Sequence, residues 1–226
     1  KTAYEIRNCD WSSDVCSSDL TALERARILR RSADIMRERA DEIARTMTSE
    51  QGKPLAEAKG EVEYAASFFE WFGGEAERIY GEVVPPMNGA NRVLVLRQPV
   101  GVVAAITPWN FPAAMMTRKL GPAMAAGCTS VVKPASATPL TAALVLRCIE
   151  DAGAPAGVVN LVTSRDAGMV ANTIFTDDRV RKISFTGSTE IGKDLIRASA
   201  EQVKRLDRKS TRLNSSHSSV SRMPSS

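Results

Sequence analysis

The chain has 226 residues, 43% hydrophobic and 25% charged, and a formal net charge of +4, which is enough apolar content for a sizeable core. Its positive charge is interspersed with acids or held in the last twenty residues, so no phosphate-tracking stripe forms and no nucleic-acid partner is expected. No apolar run approaches the roughly 18 residues of a membrane span and the N-terminus has no signal pattern, so a globular cytoplasmic protein without a membrane partner is expected.

The single histidine, His217, lies in a Ser-rich tail, which argues against a Ser-His-Asp hydrolase and against a His-ligated metal centre. Cys9, Cys16, Cys128 and Cys148 match no metal-ligand spacing, and no metal is expected. Cys128 and Cys148 read as small buried hydrophobes.

Residues 1–20 and 207–226 are Ser-rich and aperiodic and look like translated library-adapter sequence; both are set apart from the fold as non-native or disordered tails. Between them, Thr21 and Glu24 form a capping-box pattern that opens a long helix. Leu29, Ala33, Met36, Ala40, Ile43 and Met47 recur at alternating steps of four and three, one apolar stripe that Gly52 and Pro54 end. A second helix starts at Pro54 with Leu55, Ala58, Val62, Ala66, Phe69 and Ala76 on a comparable stripe and a weak point at Gly73-Gly74. Pro85-Pro86 and Asn88-Gly89 mark the turn that closes this helical part, residues 21–90.

Over residues 91–206 the rhythm becomes strand, turn, helix, repeated. Strands are expected at 93–96, 100–106, 130–132, 158–162 and 182–185, and helices at 113–126, 139–152, 167–175 and 190–202. Such alternation predicts right-handed βαβ connections and an α/β fold with a mostly parallel sheet. The chemistry then belongs to the loops after the strands.

Three of those loops stand out. Ile106-Thr107-Pro108-Trp109-Asn110-Phe111-Pro112 is a Pro-stiffened turn that presents a carboxamide at a strand end. Asn110 there can steady a developing oxyanion, or it can cap the next helix. Lys133 in Val132-Lys133-Pro134-Ala135-Ser136 can reach a ribose hydroxyl or a phosphate, or lie on the surface. Thr186-Gly187-Ser188-Thr189-Glu190-Ile191-Gly192-Lys193 leads into a helix with glycines that let backbone amides approach an anion. Residues 187–193 also satisfy seven positions of a phosphate-loop NTPase motif. Asp194 then replaces the hydroxyl that would hold Mg²⁺, which argues against an NTPase.

In this order and at these spacings the three loops resemble the aldehyde dehydrogenase superfamily. The flanks Glu50-Gln51-Gly52-Lys53-Pro54, Ala56-Glu57-Ala58 and Arg97-Gln98-Pro99-Val100-Gly101-Val102 look most like its succinate-semialdehyde dehydrogenase branch. The resemblance covers roughly residues 21–206, the N-terminal half of such an enzyme. It implies the family's Rossmann-like parallel sheet, preceded by two long helices and truncated.

The same resemblance implies roles for individual residues. Asn110 would be the side-chain half of the oxyanion hole. Trp109 would line the nicotinamide side of the cofactor, with Thr107 and Pro108 of the same turn. Lys133 would bind the adenosine ribose, with Ala135 and Ser136 beside it, and Thr186, Gly187, Ser188, Ile191 and Gly192 would form the pyrophosphate loop. Arg118 could pair a substrate carboxylate or be a solvated helix residue. The family chemistry is attack of a cysteine thiolate on an aldehyde, hydride transfer to NAD(P)⁺, and hydrolysis of the thioester by a Glu-activated water.

A carboxylate at position 136 would accept from both ribose hydroxyls but repel a 2′-phosphate. Ser136 removes that charge and Lys133 supplies a cation, so NADP is the expected cofactor, with NAD also admitted. The aldehyde expected is succinate semialdehyde, with glutarate semialdehyde and others open, and the parent enzyme is expected to be a homo-oligomer.

The family's Glu-Leu-Gly-Gly motif should follow Val203-Lys204-Arg205-Leu206, but the chain departs into Asp207-Arg208-Lys209-Ser210. None of its four cysteines stands at the nucleophile's place. The chain alone is therefore expected to bind a dinucleotide without turnover, or to be a non-catalytic remnant; NADPH production from an aldehyde would contradict both.

Overall fold

A computed structural model gives the fold and describes residues 20–89, 91–200 and 204–210. Cys9, Cys16 and His217 lie outside the described residues. So do most of both tails and the end of the helix expected to reach residue 202.

The capping box at Thr21 closes in both directions: Thr21 Oγ1 accepts from the Glu24 amide at 3.3 Å and Glu24 Oε2 accepts from the Thr21 amide at 2.7 Å. It opens α1, Ala22–Glu38. The helix expected to continue to residue 51 instead breaks at Arg39, where φ −101° and ψ 20° leave the helical region, and α2 runs Ala40–Gln51. On a straight helix a stripe repeating every 3.5 residues drifts by about 20° per heptad. The break corrects that drift, keeping Leu29, Met36, Ile43 and Met47 fully buried, while Arg39 pairs with Asp151 at 2.6 Å. No glycine or proline announces it. Gly52, at φ 76°, ends α2 in the left-handed conformation.

The third helix, α3, spans Leu55–Ala76 and passes through Gly73-Gly74 without a break. Gly73 is instead a point of close approach: a Cβ there would meet Arg30 Cγ at 3.0 Å and the Ala26 carbonyl at 3.3 Å.

Strand β1, Glu82–Val84, pairs antiparallel with β2, Val93–Val95, and every residue of the ribbon is exposed. The strand expected at 93–96 therefore stands outside the main sheet. Its β-propensity is local, and the partner it finds lies just across the Pro-Pro and Asn-Gly turn.

The main sheet is parallel throughout. Its strands are β3 Val102–Ile106, β4 Ser130–Lys133, β5 Val159–Leu161, β6 Val180–Gly187 and β7 Arg205–Ser210, in the order β5-β4-β3-β6-β7. Helices α4, Pro112–Ala125, and α5, Pro139–Asp151, join the three helices at the N-terminal end in one core with Ala105 and Val132. Helices α6, Ala167–Thr176, and α7, Thr189–Ala200, cover the other face, where Val170, Ile174, Phe175, Ile183, Phe185 and Leu195 cluster with Ala104. Burial on both faces is why these strands read as continuous apolar runs.

β7 carries the sheet past residue 206, with Ser184 opposite Asp207 and Gly187 opposite Ser210. A parallel edge strand is held by backbone hydrogen bonds that many side chains permit, and Leu206 packs on the second cluster.

Two helical glycines give opposite expectations. Gly60 on α3 has open space where a Cβ would go, so Gly60→Ala should raise stability by about 0.5–1 kcal/mol. At Gly121 on α4 a Cβ would meet Phe72 Cδ2 at 2.8 Å, so Gly121→Ala should lower it by about 1–3 kcal/mol. Urea unfolding of the two variants checks the pair of signs.

Candidate functional site

Chain direction selects the site. From β3 the chain steps outward through β4 to β5, then returns across β3 to lay down β6 and β7 on its other side. The reversal lies between β3 and β6, and in open α/β sheets a ligand crevice forms at the carboxyl ends of the strands there. The ladder brings three strand ends level: Ile106 lies opposite both Lys133 and Phe185, and the Thr107 amide donates to the Lys133 carbonyl at 3.2 Å. All three loops singled out in the sequence therefore leave the sheet side by side.

In the turn after β3, Thr107 is buried, Pro108 half-buried and Trp109 56% exposed. Asn110 does not cap α4: the N-cap is Phe111, which makes no side-chain cap bond. The cap comes from α3, where Glu61 Oε1 accepts from the amides of Ala113 at 3.0 Å and Ala114 at 3.2 Å. The other carboxylate oxygen is paired with Lys53, whose ammonium also donates to the Asn110 carbonyl at 2.9 Å and stands 4.1 Å from the Phe111 ring centroid. The side chains of this pair are 11% and 1% exposed. Asn110 Oδ1 is buried with no hydrogen-bond partner among the described residues.

Glu50 does the same for the second loop. Its carboxylate accepts from the Leu140 and Thr141 amides at 2.6 and 2.8 Å and from the Thr141 hydroxyl at 2.6 Å, at the start of α5. Thr138, the N-cap, makes no side-chain bond of its own. Glu50 near the end of α2, Lys53 in the turn after it and Glu61 on α3 thus anchor two of the three loops. Neither Glu61 nor this pairing is visible in the sequence. The one signal is an acid lying between Ala58, Val62 and Ala65 on the buried side of α3.

Lys133 is buried, donates to the Pro134 carbonyl at 2.9 Å, and has its pKa lowered by desolvation. Ala135 is half-buried; Ser136 is exposed and donates to the Ser164 carbonyl at 3.1 Å. At the third loop, β6 turns Ile183 and Phe185 into the second cluster and Ser184 and Thr186 toward α4, where Lys119 Nζ donates to their hydroxyls at 3.1 and 2.8 Å. Lys119 is not among the residues that the motifs single out, although a lysine inside a mostly apolar helix is a signal that it has a polar partner. The Thr186 hydroxyl is therefore directed at Lys119.

Gly187 ends β6 with no room for a side chain, since a Cβ would stand 2.5 Å from Phe185 Cζ. Ser188 is exposed, and its carbonyl accepts from the amide of buried Gly192 at 3.1 Å as α7 begins. Ile191 lies in the first turn of that helix. Helix therefore starts at Thr189, so residues 187–193 cannot wrap a triphosphate as the NTPase motif requires.

Arg118 is half-buried, with Cζ 5.8 Å from the Phe68 ring centroid. With Lys119, Lys182, Ser184 and Asp207 it lines a cavity of about 300 Å³, on the face that β6 and β7 turn toward α4. Asn110 does not line that cavity. Cys128 and Cys148 are buried free thiols, and burial pushes the Cys148 pKa up to about 11. Among the described residues no cluster of metal-ligating side chains occurs, and no helix is long and apolar enough to cross a membrane.

A model of the aldehyde dehydrogenase family matches residues 15–208. The chain is 57% identical over 187 residues to the NADP(+)-dependent succinate-semialdehyde dehydrogenase of Escherichia coli, covering 83% of this chain and 39% of that protein. It is 57% identical over 187 residues to a glutarate-semialdehyde dehydrogenase of Pseudomonas aeruginosa, covering 83% and 38%. A crystal structure of an NADP-dependent enzyme from Escherichia coli superposes with a TM-score of 0.84 at 55% identity, covering 86% of this chain and 40% of that one. The chain thus spans about two fifths of the length of these relatives.

The Cys148 thiol gives a direct check on the helical layer. It should resist an aromatic disulfide reagent at pH 8 in the folded chain and react once urea unfolds it, because the thiol is buried and thiolate is scarce about three units below a pKa of about 11. Labelling read by mass spectrometry measures this.

Proposed function

This chain belongs to the aldehyde dehydrogenase family, and from that premise we propose that it forms the dinucleotide-binding part of an enzyme that oxidises a carboxylated semialdehyde to a dicarboxylate with NADP⁺. The observation that carries the reading is the level alignment of the three loops at the switch point of the sheet.

The residues at that edge have the chemistry such a cofactor needs. The N-terminus of α7 offers backbone amides and a positive dipole end to a pyrophosphate, next to Gly187 and Ser188. Lys133 supplies a cation and Ser136 a hydroxyl where a carboxylate would repel a 2′-phosphate; Lys133 ends β4 and Ser136 follows it, two strands from β6 across β3. Lys133 has to turn from the Pro134 carbonyl to reach such a ligand, and an anionic partner would offset the desolvation that lowers its pKa. Trp109, exposed above the turn, offers an aromatic face to a planar ring.

A dinucleotide bound at this edge would supply the hydride acceptor. The chain's own part is positional: Asn110 holds a carboxamide at the strand end, from which it donates to the oxygen that gains charge during attack on the aldehyde. The nucleophilic thiolate and the base are not assigned to residues of this chain. Cys148 is buried with a raised pKa, and Cys128 precedes β4, at the opposite edge of the sheet from Asn110. Arg118 pairs the distal carboxylate of the substrate, which calls for a carboxylate-bearing aldehyde such as succinate or glutarate semialdehyde.

Two substitutions in the complete enzyme test these assignments. Ser136→Glu should shift the ratio of kcat/KM from NADP⁺ toward NAD⁺ by about tenfold or more, since it sets a carboxylate against the 2′-phosphate. Arg118→Ala should raise KM for succinate semialdehyde by about 10–100-fold and leave a neutral aldehyde nearly unchanged. A higher kcat/KM with NAD⁺ in the unsubstituted enzyme would overturn the cofactor assignment.

A further inference from the structure

We propose that Lys53 and Glu61 are positioning residues for the Asn110 carboxamide, setting the geometry of the oxyanion donor from a different part of the chain. The proposal rests on the reading of Asn110 given above and adds to it the pair that aims its side chain.

The two prolines of the turn fix φ at Pro108 and Pro112 and Pro112 restricts Phe111 before it, but the torsions of Trp109 and Asn110 have no proline to fix them. Three contacts supply what the prolines do not. The Lys53 ammonium holds the Asn110 carbonyl, and with it the orientation of the peptide that leaves Asn110. The same ammonium stands over the Phe111 ring, the N-cap residue that lacks a side-chain cap of its own. Glu61 then fixes the first amides of α4 at Ala113 and Ala114. Residues 110 to 114 are thus gripped at both ends by one ion pair.

That pair sits where a charge is expensive. The Glu61 side chain is 1% exposed and that of Lys53 11%, on a helix face otherwise made of Ala58, Val62 and Ala65. A polar pair buried for packing alone would be served as well or better by two apolar residues. Its donors and acceptors go to the backbone of the Asn110 turn and of the helix it opens. The Asn110 side-chain oxygen, by contrast, is left buried without a partner among the described residues, so the side chain is held through its main chain.

A displacement of about 1 Å at a reacting centre can cost on the order of a hundredfold in rate, and loss of an oxyanion donor costs about 10²–10³ in kcat. In the complete enzyme, Lys53→Met should therefore lower kcat by about 10–100-fold with KM for NADP⁺ within about twofold of the parent. Glu61→Gln, which keeps an oxygen for the α4 amides but loses the charge, should lower kcat less. In an Asn110→Ala background, Lys53→Met should cause less than a further twofold loss, because the group it aims has gone. Purely structural support would lower stability and kcat without that dependence on Asn110.

If Asn110→Ala alone leaves kcat unchanged, the oxyanion reading fails and this proposal falls with it. If Asn110→Ala lowers kcat but Lys53→Met does not, or if the two losses multiply, only the positioning proposal fails. Should Lys53→Met not fold, Glu61→Gln carries the same test. Hydrogen exchange on the 226-residue chain gives an independent reading: the Ala113 and Ala114 amides should lose protection in Glu61→Ala, which removes their acceptor, while the β3 amides keep theirs. Unchanged protection would contradict the proposal.

Discussion

Glu61 is the residue on which this arrangement turns. A carboxylate as buried as this one costs several kcal/mol unless it is paired and hydrogen-bonded, and here it accepts from two backbone amides and pairs with one ammonium. Charge-assisted hydrogen bonds are worth roughly 1.5–3 kcal/mol each, so the compensation is of the right size. It also lies at the N-terminus of α4, where the helix dipole favours an anion. A single side chain on α3 thereby fixes where α4 begins, and so where the chain leaves β3.

Glu50 repeats the device at α5, so acids on α2 and α3 control the start of both helices that come after the central strands. The division of labour is clear. The parallel ladder sets the height of the three loops, and acids from the helical part set the direction in which two of them depart. The third loop is held differently, by Lys119 on the hydroxyls of Ser184 and Thr186 and by the ring of Phe185 beneath Gly187. The three helices that precede the sheet are thus part of what builds its edge. They are more than a cover for one face.

Much of this is legible in the sequence because it is local. The Thr21 capping box, the stripe from Leu29 to Met47 and the stops at Gly52 and Pro54 are short-range signals. So is the strand, turn, helix rhythm, and all of these are found in the structure. The Arg39 break is hidden, since it answers a tertiary demand with neither glycine nor proline to mark it. Residues 93–96 carry the propensity of a strand but not its place, which lies outside the main sheet, because propensity does not name a partner. The three site loops can be recognised as motifs, whereas their level alignment comes from register, which no single segment encodes. Glu61 is the hardest to see: its partner amides lie 52 and 53 positions further on, and in the sequence it is one more acid on a helix. The engagements of Ser136 with Ser164 and of Thr186 with Lys119 are invisible for the same reason.

The central claim, that the carboxyl edge at β4, β3 and β6 is a dinucleotide site, is tested most directly by NMR titration of the isotope-labelled chain with NADP⁺. The account predicts saturable shifts concentrated at Thr107, Trp109, Lys133, Ser136, Gly187 and Ser188, with the residues around the cavity at Arg118 and Lys182 left largely unmoved. Shifts confined to that cavity, or no saturable shift at millimolar NADP⁺, would contradict it.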